Sequence, residues 1–232
     1  MLNWSNLESL IKDFNQEKRQ NLETYMELLQ QENKKYNLTA IVESQEIIDK
    51  HFYDSVIFSE SIEIENQSIM DIGTGAGFPG LVIKILFPET KVYLVESNNK
   101  KISFLNLVIN KLNLKNVFTK NERAEDFSLE MKEKFDIIIS RAMAPLNILL
   151  EVGVQGLKVG GQFICLKSKN VTNEILDLNN KESVIGLKLL KEQKISIDNI
   201  GERINLFYLK EKNTPNSYPR MYSQIKKKPL GK

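Results

Sequence analysis

The residues that most constrain the fold are Ser68-Ile69-Met70-Asp71-Ile72-Gly73-Thr74-Gly75-Ala76-Gly77-Phe78-Pro79-Gly80. An apolar run ends beside an acid and breaks into four glycines within eight positions. Glycine adopts positive φ at little steric cost and lets a ligand approach a backbone with no Cβ in the way. A second apolar run, Leu81 to Phe87, follows at once and is closed by Pro88. Strand, glycine turn and helix start in that order form the nucleotide-type crevice of a doubly wound α/β sheet.

From residue 68 onward short apolar runs alternate with helical patterns. Strands are expected at 69–72, 91–95, 117–120, 135–140 and 162–166, and helices near 78–87, 98–113, 125–132, 146–157 and 171–182. Segments 188–198 and 203–210 close the chain as an antiparallel pair. The expected fold is therefore α/β, a mostly parallel seven-stranded sheet with helices on both faces. Ahead of it, residues 2–36 carry helical spacing through Leu7, Leu10, Ile11 and Phe14, then Leu22, Tyr25, Met26 and Leu29. A third helical pattern runs through Ile47, Ile48, Phe52, Val56, Ile57 and Phe58. We expect a helical cap over 1–66 integral to the domain, a ligand-binding core over 67–212 and a basic tail over 213–232.

Composition excludes several classes. The single cysteine, Cys165, leaves no internal disulfide or multi-cysteine zinc site, and the single histidine, His51, leaves no His-rich metal cluster. No metal is expected. No apolar stretch approaches the roughly 20 residues of a membrane span, and residues 1–6 do not read as a signal peptide. A soluble, reduced, cytoplasmic protein and a monomer are the expectations. Net charge is only +2, yet Lys210, Lys212, Arg220, Lys226, Lys227, Lys228 and Lys232 face the single acid Glu211 in the last segment. Such a cluster is either a solvated tail or an edge that contacts nucleic-acid phosphates.

Gly75 to Gly80 also satisfies the G-x-G-x-x-G dinucleotide fingerprint, so a nicotinamide-dependent reductase must be weighed. Asp71 stands before the first glycine, where it repels a pyrophosphate but suits a cofactor with a sulfonium and a free ammonium. Little chain remains for a separate substrate domain. S-adenosylmethionine (SAM) is therefore favoured, with Asp71, Gly73, Gly75 and Gly77 in its loop. Glu96 ends the second strand about 20 residues on, where a carboxylate can accept both ribose hydroxyls. Arg123-Ala124-Glu125-Asp126-Phe127 follows the third strand and is placed to meet an adenine, although such acids also serve as helix caps.

The loop after the fourth strand, Ser140 to Leu146, faces the acceptor. It lacks the Asp/Asn-Pro-Pro-aromatic motif of amine methylation, and Cys165, the sole thiol, lies in an apolar strand and reads as core. The chemistry then needs neither amine deprotonation nor a covalent intermediate. The N7 of guanine fits, because its lone pair attacks with no proton to remove. Arg141 is the catalytic candidate, in a positioning or electrostatic role with no general base, or else it forms a structural ion pair.

With these motifs the chain resembles the bacterial 16S rRNA 7-methylguanosine methyltransferases, the glucose-inhibited division protein B family. The resemblance extends to 37–41, 51–55, 101–105, 160–167 and 214–220. It implies a Rossmann-like class I SAM-dependent methyltransferase acting on a guanine in the helix 18 loop of 16S rRNA in the 30S subunit. It further implies that Gly73, Phe78, Ala124, Glu125 and Arg141 line the cofactor site and that Lys167, Arg203 and Arg220 contact RNA. Glu96 stands where the family more often has aspartate. His51 and Asp54 are expected to order the cap by packing. A non-catalytic RNA-binding module on the same scaffold is the other reading.

Overall fold

The computed structural model describes residues 2–168, 171–197 and 201–232. The cap begins with α1 (Ser5–Leu10) and α2 (Gln16–Tyr36). The expected continuous pattern breaks because the Asn15 side chain accepts the Lys18 N–H and starts a new helix there. Asn37, at φ 50°, ends α2 in the left-handed conformation that asparagine tolerates. Next come α3 (Ser44–Ile47), a widened turn at Ile48–Tyr53, α4 (Asp54–Val56) and a tight turn at Ile57–Glu60.

The core follows as β1 (Ser68–Ile72), α5 (Gly80–Leu86), β2 (Lys91–Val95), α6 (Asn99–Lys111), β3 (Val117–Lys120), α7 (Ala124–Glu130) and β4 (Phe135–Arg141). It continues through α8 (Leu146–Gly153), β5 (Leu157–Ser168), α9 (Val171–Leu178), β6 (Leu187–Ile197), β7 (Gly201–Lys210) and α10 (Tyr222–Lys227). The seven strands form one sheet in the order β3-β2-β1-β4-β5-β7-β6. All neighbours are parallel except β7, which runs antiparallel to β5 and β6. The chain reverses direction across the sheet between β1 and β4, the switch point at which open α/β sheets bind ligands.

Alternation along the strands splits the core into two layers. Ile69, Val92, Leu94, Ile137, Ile139 and Ile164 pack against the cap, α5 and α6. Met70, Ile72, Ile138, Phe163 and Cys165 face the other way, onto α7, α8, α9 and α10. Strands buried on both faces read as continuous apolar runs, which is why they were visible in the sequence. The cap shares one continuous cluster with the sheet through Leu22, Tyr25, Phe52, Leu81 and Phe104.

Several boundaries differ from the sequence reading. α5 starts at Gly80, because Gly77 N–H and Phe78 N–H both turn back to the Thr74 carbonyl. β5 starts at Leu157, pairing with Phe135 before a register shift, so the helix expected to reach 157 ends at Gly153. α9 stops at Leu178, where Asn179 and Asn180 take left-handed φ. Asp198, the expected end of the sixth strand, lies outside the described residues.

The basic tail is folded down rather than loose. Ile225 and Leu230 are buried, Thr214 donates to the Ile185 carbonyl, and Gln155 donates to the carbonyls of Pro215 and Tyr218. Lys210 is fully buried, with Nζ donating to the carbonyls of Val154 and Leu157. It is a strand-end staple, not a member of the surface cluster.

Candidate functional site

The C-terminal ends of β1, β2, β3 and β4 converge on the glycine turn. Gly73 N–H and Thr74 N–H donate to the Val95 carbonyl, tying the turn to β2. Gly75 N–H donates to Glu96 Oε2 at 3.2 Å, and Asn98 N–H donates to Oε1 at 2.9 Å. Lys101 Nζ lies 3.7 Å from the same carboxylate. A carboxylate has about four lone-pair sites, so Glu96 keeps acceptor capacity for a diol. Asn121, which the sequence did not single out, donates to the Glu96 carbonyl at 3.0 Å and ties the loop after β3 to the end of β2.

The glycines divide by role. Gly73, Gly75 and Gly77 all have positive φ. A Cβ on Gly75 would meet nothing closer than 3.9 Å, so its face of the turn opens onto free space. At Gly77 a Cβ would lie 2.5 Å from Leu81 and 2.7 Å from the Tyr25 hydroxyl, on the packed side. At Gly73 it would strike the Met143 side chain at 2.5 Å, which places Met143 over the turn. An open cradle beside an acid and backbone N–H groups fits the SAM expectation. Two buried oxygens there, Asp71 Oδ1 and Thr74 Oγ1, have no hydrogen-bond partner among the described residues.

Asp71 itself lies fully buried beneath the turn, its Oδ2 accepting the Gly80 N–H at 2.8 Å. Burial pushes its carboxyl up to about 7, against the opposing pull of Thr74, the Gly80 N–H and Arg141. The Thr74 hydroxyl is close enough to favour the charged form yet falls outside formal hydrogen-bond geometry. The geometry thus gives Asp71 a part in holding the turn to α5.

At the end of β4, Arg141 NH1 donates to the Lys50 carbonyl at 3.0 Å and to Asp54 Oδ2 at 3.1 Å. Its NH2 meets His51 Nδ1 at 3.1 Å, and its guanidinium lies 5.0 Å from the Phe78 ring centre. A guanidinium only donates, so Nδ1 of His51 accepts and Nε2–H points to Thr39 Oγ1 at 2.8 Å. Burial, then the Arg141 charge, pushes His51 down to about 3. The ring stacks on Phe78 at 4.3 Å. Asp54 also accepts from Arg203 Nε at 2.6 Å and bridges two arginines. Ala142 takes φ 54°, an uncommon conformation for a residue with a Cβ, and turns the chain away from β4.

Ala124 and Glu125 open α7 at the same edge, both largely covered, with Glu125 Oε1 accepting from Arg123 Nε at 3.2 Å. The three expected RNA contacts each hold an internal carboxylate, and Lys167 and Arg203 are neighbours across the β5–β7 ladder. Lys167 Nζ binds Glu174 Oε2 and the Ala144 carbonyl. Arg203 pairs with Asp54, and Arg220 grips the fully buried Glu151 through Nε at 2.8 Å and NH2 at 2.6 Å. A cleft of about 1210 Å³ lined by Leu10, Tyr53, Ile62 and Leu86 lies at the opposite edge, where β1 and β2 begin. Ligands of open α/β sheets bind at the other ends of the strands, so that cleft is set aside. Among the described residues no group of three or more His, Cys, Asp or Glu is arranged to hold a metal, and no helix is long and apolar enough to cross a membrane.

Comparison with known proteins bears on the family and the fold. A family model described as GidB, rRNA small subunit methyltransferase G, matches residues 18–203. The chain is 53% identical over 213 residues to the ribosomal RNA small subunit methyltransferase G of Mycoplasma capricolum, covering 92% of each chain. It is 49% identical over 212 residues to the protein of that name from Mesoplasma florum, covering 91% of this chain and 90% of that one. Among solved structures it resembles a SAM dependent methyltransferase from Aquifex aeolicus, with TM-score 0.57, 17% identity, and coverage of 78% of this chain and 98% of that one.

Proposed function

Because the chain belongs to the GidB family, rRNA small subunit methyltransferase G, we propose that the atom it methylates is N7 of a guanine in the helix 18 loop of 16S rRNA. The protein is a SAM-dependent methyltransferase whose substrate is small-subunit rRNA. The observation that carries the finer reading is the lack of a free base beside the acceptor loop among the described residues. His51 is neutral with both ring nitrogens engaged. Burial pushes the Cys165 thiol up to about 12, so it stays protonated and inert. The Lys167 ammonium is tied to Glu174 and Ala144. An acceptor that reacts without first losing a proton suits this arrangement, and the N7 lone pair of guanine does so.

The bound cofactor supplies an electrophilic methyl group on a sulfonium. Gly73, Gly75 and Gly77 shape the cradle that receives it, with Asp71 bracing the turn from beneath. Glu96 accepts the ribose hydroxyls, while Ala124 and Glu125 meet the adenine. Phe78 and Arg141 form the wall between cradle and acceptor. Arg141, fixed by Asp54, His51 and the Lys50 carbonyl, sets the electrostatics of that wall and orients the incoming base. Lys167, Arg203 and Arg220 present charge to RNA, each held in place by its carboxylate. The protein acts as a monomer on RNA carried in the 30S subunit.

The test is incubation with 30S subunits and methyl-labelled SAM, followed by nucleoside analysis and mapping. Label in 7-methylguanosine within helix 18 is expected. Label on an exocyclic amine, a ribose oxygen or a pyrimidine carbon overturns the reading.

A further inference from the structure

Tyr25 lies on α2, in the cap, and belongs to none of the motifs that point to the site. Its side chain is fully buried, yet its hydroxyl donates to the Ala76 carbonyl at the middle of the glycine turn. The ring stacks 5.5 Å from Phe78 on one side and 5.5 Å from Phe52 on another. Burial holds the phenol well above its ordinary pKa, so it remains a donor at any working pH. Gly77 shows how tightly the two fit, since a Cβ there would come within 2.7 Å of the same hydroxyl.

We propose that Tyr25 is a positioning residue for the cofactor: its hydrogen bond to Ala76 locks the turn in the form whose open face receives SAM. The Ala76 carbonyl is drawn into the cap, which fixes the peptide plane between Ala76 and Gly77. The turn is otherwise tied by Gly73 and Thr74 to Val95, by Gly75 to Glu96 and by Gly80 to Asp71, and within itself by Gly77 N–H and Phe78 N–H to the Thr74 carbonyl. Tyr25 supplies a tie to the middle. Its loss leaves a buried carbonyl unpaired and leaves that peptide held only through its Gly77 N–H, bonded to the Thr74 carbonyl. The cap thereby becomes part of the cofactor site without touching the cofactor.

The inference rests on the glycine turn being the SAM cradle, and the experiment separates the two. Tyr25→Phe keeps the ring and its stacking and removes one oxygen. Titration calorimetry should show SAM affinity about tenfold weaker, the scale of one lost buried hydrogen bond. The KM for SAM should rise while kcat and the KM for 30S subunits stay near wild type. Phe104→Leu, which disturbs packing on the same Tyr25 ring from α6, 6.3 Å away, should lower the melting temperature and leave SAM affinity of the folded protein unchanged. Unchanged SAM affinity in Tyr25→Phe, or an equal loss in Phe104→Leu, overturns the proposal. Failure of the wild-type chain to bind SAM would instead overturn the cradle.

Discussion

Gly75 and Gly80 show how a glycine's role depends on where its missing Cβ would point. At Gly75 the space is open. Gly75→Val should therefore abolish SAM binding by calorimetry while costing about 1–2 kcal/mol of stability through its left-handed backbone. At Gly80 the Cβ would lie 2.3 Å from Leu94 and 2.8 Å from Asp71 Oδ2. Gly80→Ala should instead lower the melting temperature or prevent folding, and equal behaviour of the two variants would refute this division. Asp71 and His51 make a second residue-scale pair. The folded pKa of Asp71 is raised from 3.8 to about 7, so its contribution to stability is full at low pH and declines as pH rises through 7. The folded pKa of His51 is lowered from 6.5 to about 3, so its contribution is full above 6.5 and lost as pH falls towards 3. Each slope reaches at most about 1.4 kcal/mol per pH unit, and between pH 4 and 6.5 they oppose. In denaturant titrations over that window, Asp71→Asn should make stability rise more steeply with pH than in wild type. His51→Gln should make it fall relative to wild type.

At the scale of elements, Arg141 at the end of β4 is braced by a carboxylate of the cap that β7 in turn holds. Asp54, in α4, pairs with Arg141 at the end of β4 and with Arg203 in β7. Only 9% of its side chain is exposed. Asp54→Asn removes the charge between two largely covered arginines, and loss of one partner from such a site costs about 3–5 kcal/mol. Chemical denaturation should record a loss of that order, and kcat should fall because Arg141 loses its brace. Unchanged kcat in folded Asp54→Asn would show that the ion pair serves the fold alone. Thr39 extends the same network through His51, so the loop after α2 contributes to the orientation of Arg141.

For the whole molecule, a net charge of +2 conceals a sorted surface. Lys167, Arg203 and Arg220, proposed above to meet RNA, are each also paired with an internal carboxylate. Lys226 and Lys227 are exposed on α10, whose residue Tyr222 stacks on Arg123 at 4.3 Å. That places two exposed cations on the helix that packs against Arg123, just ahead of α7. Replacing both with Gln should weaken binding to 30S subunits and reduce the slope of log affinity against log salt by roughly 1.5. SAM affinity should not change. A slope equal to wild type would place the RNA elsewhere on the surface.

The sequence alone makes legible the sheet, its glycine turn and Glu96 just past β2. Those features are local: apolar runs set strands, and a strand-end glycine cluster has few uses. It also yielded the family, because several motifs stood in the right order. Tertiary structure alone decided which groups meet. Tyr25 sits in an ordinary apolar helix stripe, and nothing in its spacing says that its hydroxyl reaches Ala76, 51 positions away. The tail read as a solvated or RNA-facing cluster because charge counts ignore partners, yet Lys210 and Arg220 are bound inside the fold. Asp71 stood in the right place along the chain for a cofactor contact, but the turn folds over it and buries it. Side-chain direction, burial and long-range pairing arise only when the layers close, so no one-dimensional pattern carries them.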